Sequence, residues 1–145
     1  MSNSADSLHD RIAQSFARQG MLLTLGAELH SVAPGVVEIR LPYADRVTQQ
    51  QGGFHGGAMG TLADVAGGYA GLTVAPDGME VVTVEYKINF LTSFKGGTLR
   101  AVGRVVRPGK RLIITTAEVT HVDADGKESP CALMQQTLAP VPKVY

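Results

Sequence analysis

Gln49-Gln50-Gln51-Gly52-Gly53-Phe54-His55-Gly56-Gly57-Ala58-Met59-Gly60-Thr61-Leu62-Ala63-Asp64-Val65-Ala66-Gly67-Gly68-Tyr69-Ala70-Gly71-Leu72 is a glycine-rich segment that becomes apolar and helical after Phe54. Met59, Leu62, Val65, Ala66 and Tyr69 recur at the spacing of one helix face, and that face reads as core. The opposite face carries Gly57, Gly60, Thr61, Asp64, Gly67, Gly68 and Gly71. Each glycine inside a helix costs on the order of 1 kcal/mol against alanine, so the stripe needs a tertiary reason. Glycine lets another backbone, a partner helix or a ligand approach closely. Asp64 is the only charge on the helix. A lone carboxylate on a buried helix is paired, solvated by a cleft or shifted in pKa, and these are the conditions of functional carboxylates.

Outward from this helix, the 145-residue chain fits one domain, 1–145, with a single core. Acidic and basic residues balance at 13 each, so nothing marks the chain for nucleic acid or an anionic membrane. The single Cys131 excludes an internal disulfide framework and reads as a buried thiol. The N-terminal residues form neither a basic start nor an apolar run, and no stretch is long enough to span a bilayer, so a cytoplasmic protein is expected.

An N-terminal helix is expected within 1–20, capped by Asp6 or Ser7, with Leu8, Ile12 and Phe16 on one face and Gly20 at its end. From Met21 to Leu41 two alternating apolar runs flank the turn Ala33-Pro34-Gly35 and predict a hairpin. Pro42 to Phe54 is an aperiodic connection, and the central helix is expected over 55–74. Beyond it, Val82, Val84, Tyr86, Ile88 and Phe90 alternate with Thr83, Glu85, Lys87 and Asn89, the clearest strand in the chain. Three more strands follow, Thr98 to Val106, Leu112 to Val122 and about Cys131 to Ala139. Antiparallel strands with one long buried helix interposed predict an α+β fold, a curved sheet packed around that helix.

Signatures of other chemistry are missing. His9, His30, His55 and His121 show no metal-ligand spacing and there is no Cys/His cluster. Neither a Gly-x-Ser-x-Gly elbow nor a Walker or Rossmann glycine loop is present. What remains is the segment from His55 to Asp64.

There the residues resemble the hotdog-fold acyl-CoA thioesterases, of the phenylacetate-pathway-like and 4-hydroxybenzoyl-CoA thioesterase-like branch. The match is His55-Gly56-Gly57, an acid at Asp64 on the same helix, Gly52 ahead of the His, and the four-strand tail, so it covers almost the whole chain. The resemblance implies that Asp64 is the catalytic carboxylate and that Gly56 supplies an oxyanion-binding N–H. It implies that Gln49, six residues before His55, holds the thioester or the water, and that Thr83 matches a Ser or Thr at the start of the following strand. Many relatives have Asn where this chain has Gln49; the Gln belongs to the 4-hydroxybenzoyl type, here combined with an Asp of the other kind. The family is often tetrameric as well as dimeric.

Elementary physics supports these roles. A helix start exposes N–H groups with a positive partial charge, so Gly56 and Gly57 are suited to an oxyanion. Asp64 lies roughly 12 Å further along the axis, too far to act on a carbonyl at its own helix start. A two-fold dimer, its helices antiparallel along their glycine stripes, would bring Asp64 of one copy towards Gly56 of the other. His55 reads as an organiser of the helix start rather than a base, and Thr83, sharing a strand face with Glu85 and Lys87, reads equally as a solvated residue. Arg104, Arg107, Lys110 and Arg111 cluster about a turn and are either solvated or hold coenzyme A phosphates. The expected activity is hydrolysis of an acyl-CoA without metal or cofactor, with Asp64 as general base or nucleophile. Rival readings are an acyl-CoA binder without turnover, and a hotdog dehydratase, which would use a His base with a proline-rich stretch after it where this chain has Gly-Gly-Ala-Met.

Overall fold

A computed structural model describes residues 4–145. Helix α1 (Ser4–Ala17) buries Ile12 and Phe16, the face expected of it, and a short helix α2 (Gly20–Leu25) follows. Six strands follow: β1 (Glu28–Ala33), β2 (Val36–Pro42), β3 (Met79–Phe90), β4 (Thr98–Pro108), β5 (Ile113–Val122) and β6 (Glu128–Pro142). Between β2 and β3 lies α3 (Gly56–Leu72). The strands form one antiparallel sheet in the order β1-β2-β4-β5-β6-β3, and five of them, β2 to β6, pack on α3. This is the expected α+β hotdog arrangement.

Three expectations near the N-terminus are corrected: α1 ends at Ala17, and Gly20, expected to end it, instead opens α2. Helix α1 starts at Ser4, so Asp6 and Ser7 both lie inside it and neither is its N-cap; residues 1–3 lie outside what is described. Met21 to Leu25 is helical rather than part of a hairpin strand. Gly26, at φ 85°, ends that helix by donating its N–H to the carbonyls of Leu22 and Leu23, while Ala27 N–H also reaches Leu22 O.

The sheet closes tightly on α3 because glycines on both sides of the contact leave no side chain in the way. A Cβ on Gly103 of β4 would sit 2.2 Å from the Ala66 carbonyl oxygen, and one on Gly71 would meet a Leu138 methyl at 2.3 Å. Part of the stripe on α3 therefore has its tertiary reason within the chain: Gly60, Gly67 and Gly71 are buried, with side chains of this sheet close over them, whereas Gly68 has none near it. Apolar side chains alternate inward from β2, β4, β5 and β6, including Ile39, Leu41, Leu99, Ala117, Val119, Met134 and Leu138. Helix α1 covers one end, where Arg11 Nη2 donates to Leu72 O at the carbonyl end of α3, 3.0 Å away.

Strand β3 departs from simple alternation. Its pairing with β6 shifts between Thr83 and Glu85, a bulge at Val84. Before it, Val81 and Thr83 face α3; after it, Ile88 packs on the core, the Tyr86 hydroxyl comes 3.4 Å from where a Gly60 Cβ would be, and Phe90 covers Gly56. Thr83 therefore does not share an outward face with Glu85 and Lys87. The bulge returns it to the helix.

Candidate active site

Two separate clefts flank the side of α3 that β3 covers. The larger, about 430 Å³, is lined by Asp64, Val65, Gly68, Tyr69 and Leu72 of α3, Glu80, Val81 and Thr83 of β3, and Ser15, Arg18, Gln19 and Tyr145. The smaller, about 290 Å³, is lined by Gln49, Phe54, Gly56, Met59 and Phe90, and by Leu91 to Ser93. Asp64 and Thr83 thus meet in one cleft, Gln49 and Gly56 in the other.

In the first cleft, Thr83 Oγ1 donates to Asp64 Oδ1 at 2.7 Å. Gln136 Nε2 donates to the same oxygen at 2.5 Å and to the Asp64 carbonyl at 3.1 Å. Among the described residues no hydrogen bond reaches Oδ2. Behind Gln136, Thr115 Oγ1 donates to its Oε1 at 2.7 Å. Neither Gln136 nor Thr115 is among the residues expected at the site, yet a polar side chain on the inward face of an apolar strand is a readable signal. Thr115 interrupts Ile113, Ala117 and Val119, and Gln136 interrupts Met134 and Leu138. At the far end of this cleft the Tyr69 hydroxyl meets Gln19 Nε2 at 2.6 Å and Ser15 Oγ at 2.9 Å, and burial raises its pKa.

The second cleft is built from the helix start. His55 caps α3: its Nδ1 accepts from Gly57 N–H at 2.7 Å, and its own N–H donates to Val47 O. The N–H of Gly57 is therefore taken, which corrects the pairing of Gly56 and Gly57 as joint oxyanion donors. Gly56 N–H has no protein acceptor among the described residues, and a Cβ there would lie 3.3 Å from the Phe90 ring. Gln49 is held in a tight loop: its N–H donates to Gly53 O, its O accepts from Gly52, and its side-chain Oε1 accepts from Gln51 N–H.

Arg104, Arg107, Lys110 and Arg111 are exposed around the β4–β5 turn and line neither cleft. Cys131 is buried, and burial pushes its thiol pKa up, which suits packing and not attack.

Residues 51–126 match the sequence profile of the thioesterase superfamily. A Saccharolobus solfataricus protein that carries an esterase name is 37% identical over 103 residues, covering 71% of each chain. The 1,4-dihydroxy-2-naphthoyl-CoA hydrolase of Listeria monocytogenes is 29% identical over 102 residues, 70% of this chain and 82% of that one. The crystal structure of a thioesterase family protein from Silicibacter pomeroyi superposes with a TM-score of 0.89 at 37% identity, covering 94% of this chain and 99% of the other.

Proposed function

The chain belongs to the thioesterase superfamily and is a thioester hydrolase, and on that premise we propose that it cleaves an acyl-CoA to the free acid and coenzyme A. The observation that carries the proposal is the Asp64 carboxylate, with one oxygen held by two donors and the other open to a cleft. The coenzyme A thioester named for the Listeria relative supports the substrate class.

In this reading a water attacks the thioester carbonyl while Asp64 Oδ2 takes its proton. The carbonyl oxygen becomes an oxyanion at Gly56 N–H, the C–S bond breaks, and the thiolate of coenzyme A leaves and recovers the proton. The alternative is direct attack by Oδ2, giving an acyl-aspartyl anhydride that water then opens. A single turnover in ¹⁸O water separates the two: the base route labels the product at once, whereas hydrolysis of the anhydride at its aspartyl carbonyl labels Asp64. Gln49 orients the carbonyl, Thr83 holds Asp64, and His55 and Gly57 act by fixing the helix start. Arg104, Arg107, Lys110 and Arg111 supply cations for the coenzyme A phosphates, and no metal or further cofactor is involved. The setting is cytoplasmic.

The reaction requires both halves of the site, and on one copy they are roughly 12 Å apart along α3. Edge strand β3 supports a two-fold dimer that joins them. It is 12 residues long, pairs among the described residues with β6 alone, and exposes Val82, Val84, Tyr86 and Phe90, 44–59% accessible. A long apolar edge of this kind is a template for a further strand. Thr83 marks the Asp64 half and Phe90 the Gly56 half, so antiparallel pairing of two β3 strands about Tyr86 and Lys87 sets each half opposite its complement. The dimer is the working unit, and a tetramer is a pair of dimers.

The test is thiol release from a panel of aromatic and aliphatic acyl-CoAs at matched concentrations. Turnover of at least one supports the proposal. Binding without thiol release across the panel would sink it.

A further inference from the structure

The most unusual feature of the core is an amide buried beneath α3. Gln136 is 1% exposed and Thr115 fully buried, on adjacent strands in direct register, both on the face that packs on the helix. Burial of a primary amide is unfavourable unless its donors and acceptor are all matched. Here they are: Oε1 accepts from Thr115, and Nε2 donates to Asp64 Oδ1, to the Asp64 carbonyl and, at 3.2 Å, to Thr83 Oγ1. The chain also leaves room for it. A Cβ on Gly67 would lie 2.4 Å from Gln136 Oε1 and 2.8 Å from Thr115 Oγ1.

We propose that Gln136, oriented by Thr115 in the space left by Gly67, is a positioning residue that holds the Asp64 carboxylate by Oδ1 and leaves Oδ2 as the reacting oxygen. This rests on Asp64 being the reacting carboxylate. The Thr115 hydroxyl sets which way the amide points. With Oε1 satisfied by Thr115, the NH₂ group faces the carboxylate; rotated by half a turn, the amide would set oxygen against oxygen. Thr83 and Gln136, themselves in contact at 3.2 Å, then hold one and the same oxygen, and rotation about the Asp64 side chain is suppressed. A carboxylate without this grip would present either oxygen in a spread of orientations, and proton transfer is sensitive to such misplacement.

Steady-state kinetics on acyl-CoA with the full chain, for Asp64→Asn, Gln136→Met, Thr115→Val and Thr115→Ser, tests the assignment, with thermal melts to confirm folding. Gln136→Met removes the donor at similar volume; kcat is expected to fall by roughly 10- to 100-fold, the worth of a hydrogen bond to a charged group. KM should stay within about two-fold, because the residue touches Asp64 and not the substrate. Thr115→Val, isosteric but without the hydroxyl, should lower kcat by roughly 10-fold, and Thr115→Ser, which returns it, should recover most of that loss. If Gln136→Met does not fold, the Val and Ser pair decides. The proposal is overturned if Gln136→Met or Thr115→Val keeps kcat within about two-fold while Asp64→Asn is inactive. Equal losses in Val and Ser also overturn it, since packing alone would then account for Thr115. If Asp64→Asn itself turns over, the functional reading beneath it has failed, a result distinct from either.

Discussion

The two halves of the candidate site are made in different ways. Around Asp64 the geometry comes from side chains of three elements: Thr83 on β3, Gln136 on β6 and, behind it, Thr115 on β5. Around Gly56 it comes from local backbone: the helix start, its His55 cap and the loop that holds Gln49. The difference follows from what each half must hold. A carboxylate on a rotatable side chain is aimed only by groups outside its helix, whereas a backbone N–H is aimed by the helix itself. The first half therefore depends on the closing of the sheet, and the second only on the start of α3.

The largest expected effect comes from emptying the first half of its chemistry. Asp64→Asn keeps an oxygen to accept from Thr83 and Gln136 but loses the proton acceptor, so kcat should fall by roughly 10²–10⁴-fold. Binding of substrate should persist, and the melting temperature should hold or rise, since active-site carboxylates commonly trade stability for function. A folded Asn variant turning over within a few-fold of wild type would remove Asp64 from the mechanism.

Separating the halves from each other should come next. Val84 is 59% exposed on the open edge of β3, beside neither cleft. Val84→Lys puts a charged side chain in place of an apolar one on the edge that paired β3 strands would bury, and charges on an edge are what keep edge strands apart. Light scattering should show monomers, and kcat should drop by roughly 10²–10³-fold, the worth of a lost oxyanion donor. A fully active monomer would show that one copy carries a complete site.

Within the second half, Gln49→Ala removes a polar group beside Gly56 while leaving the N–H in place. Activity should fall by roughly 10-fold, less than for Asp64→Asn, because the amide contributes about one neutral hydrogen bond. A loss as large as that of Asp64→Asn would make Gln49 part of the oxyanion site itself.

These halves were unequally legible before the structure. Gly56 and Asp64 lie within one helix and His55 caps it, so local spacing is enough to relate them. Gln136 is 72 residues from Asp64, and only cross-strand register brings it there with Thr115. Thr83 was a candidate by its place in the chain, but simple period-two alternation turned it away from α3; the extra residue at Val84 turns it back. The fold was easier to read, because β2, β4, β5 and β6 each bury one face and keep their period. Met21 to Leu25 reads as strand from the sequence because a short apolar run fits strand and helix alike; the stop signal at Gly26 is the informative residue. The glycine stripe was legible as a close approach, but not which surface approaches.

That last point yields the smallest effects and the sharpest contrast, since Gly67 and Gly68 are neighbours with opposite surroundings. A methyl on Gly67 would press on Gln136 Oε1 and Thr115 Oγ1, while one on Gly68 would meet nothing within 4 Å beyond its own helix backbone and chain neighbours. Neither glycine has a positive φ, so backbone strain does not enter. Gly67→Ala gains helix propensity but overpacks the buried amide, and should destabilise the protein by about 1–3 kcal/mol in chemical denaturation. Gly68→Ala gains the propensity without the clash and should stabilise by up to about 1 kcal/mol. Because Gly67→Ala also pushes on the group that grips Asp64, its loss of kcat should be accompanied by little change in KM. Equal stability changes at the two positions would mean that the amide yields freely to the methyl. The grip on Asp64 would then be too soft to orient anything, and the first half of the site would be no more firmly built than the second.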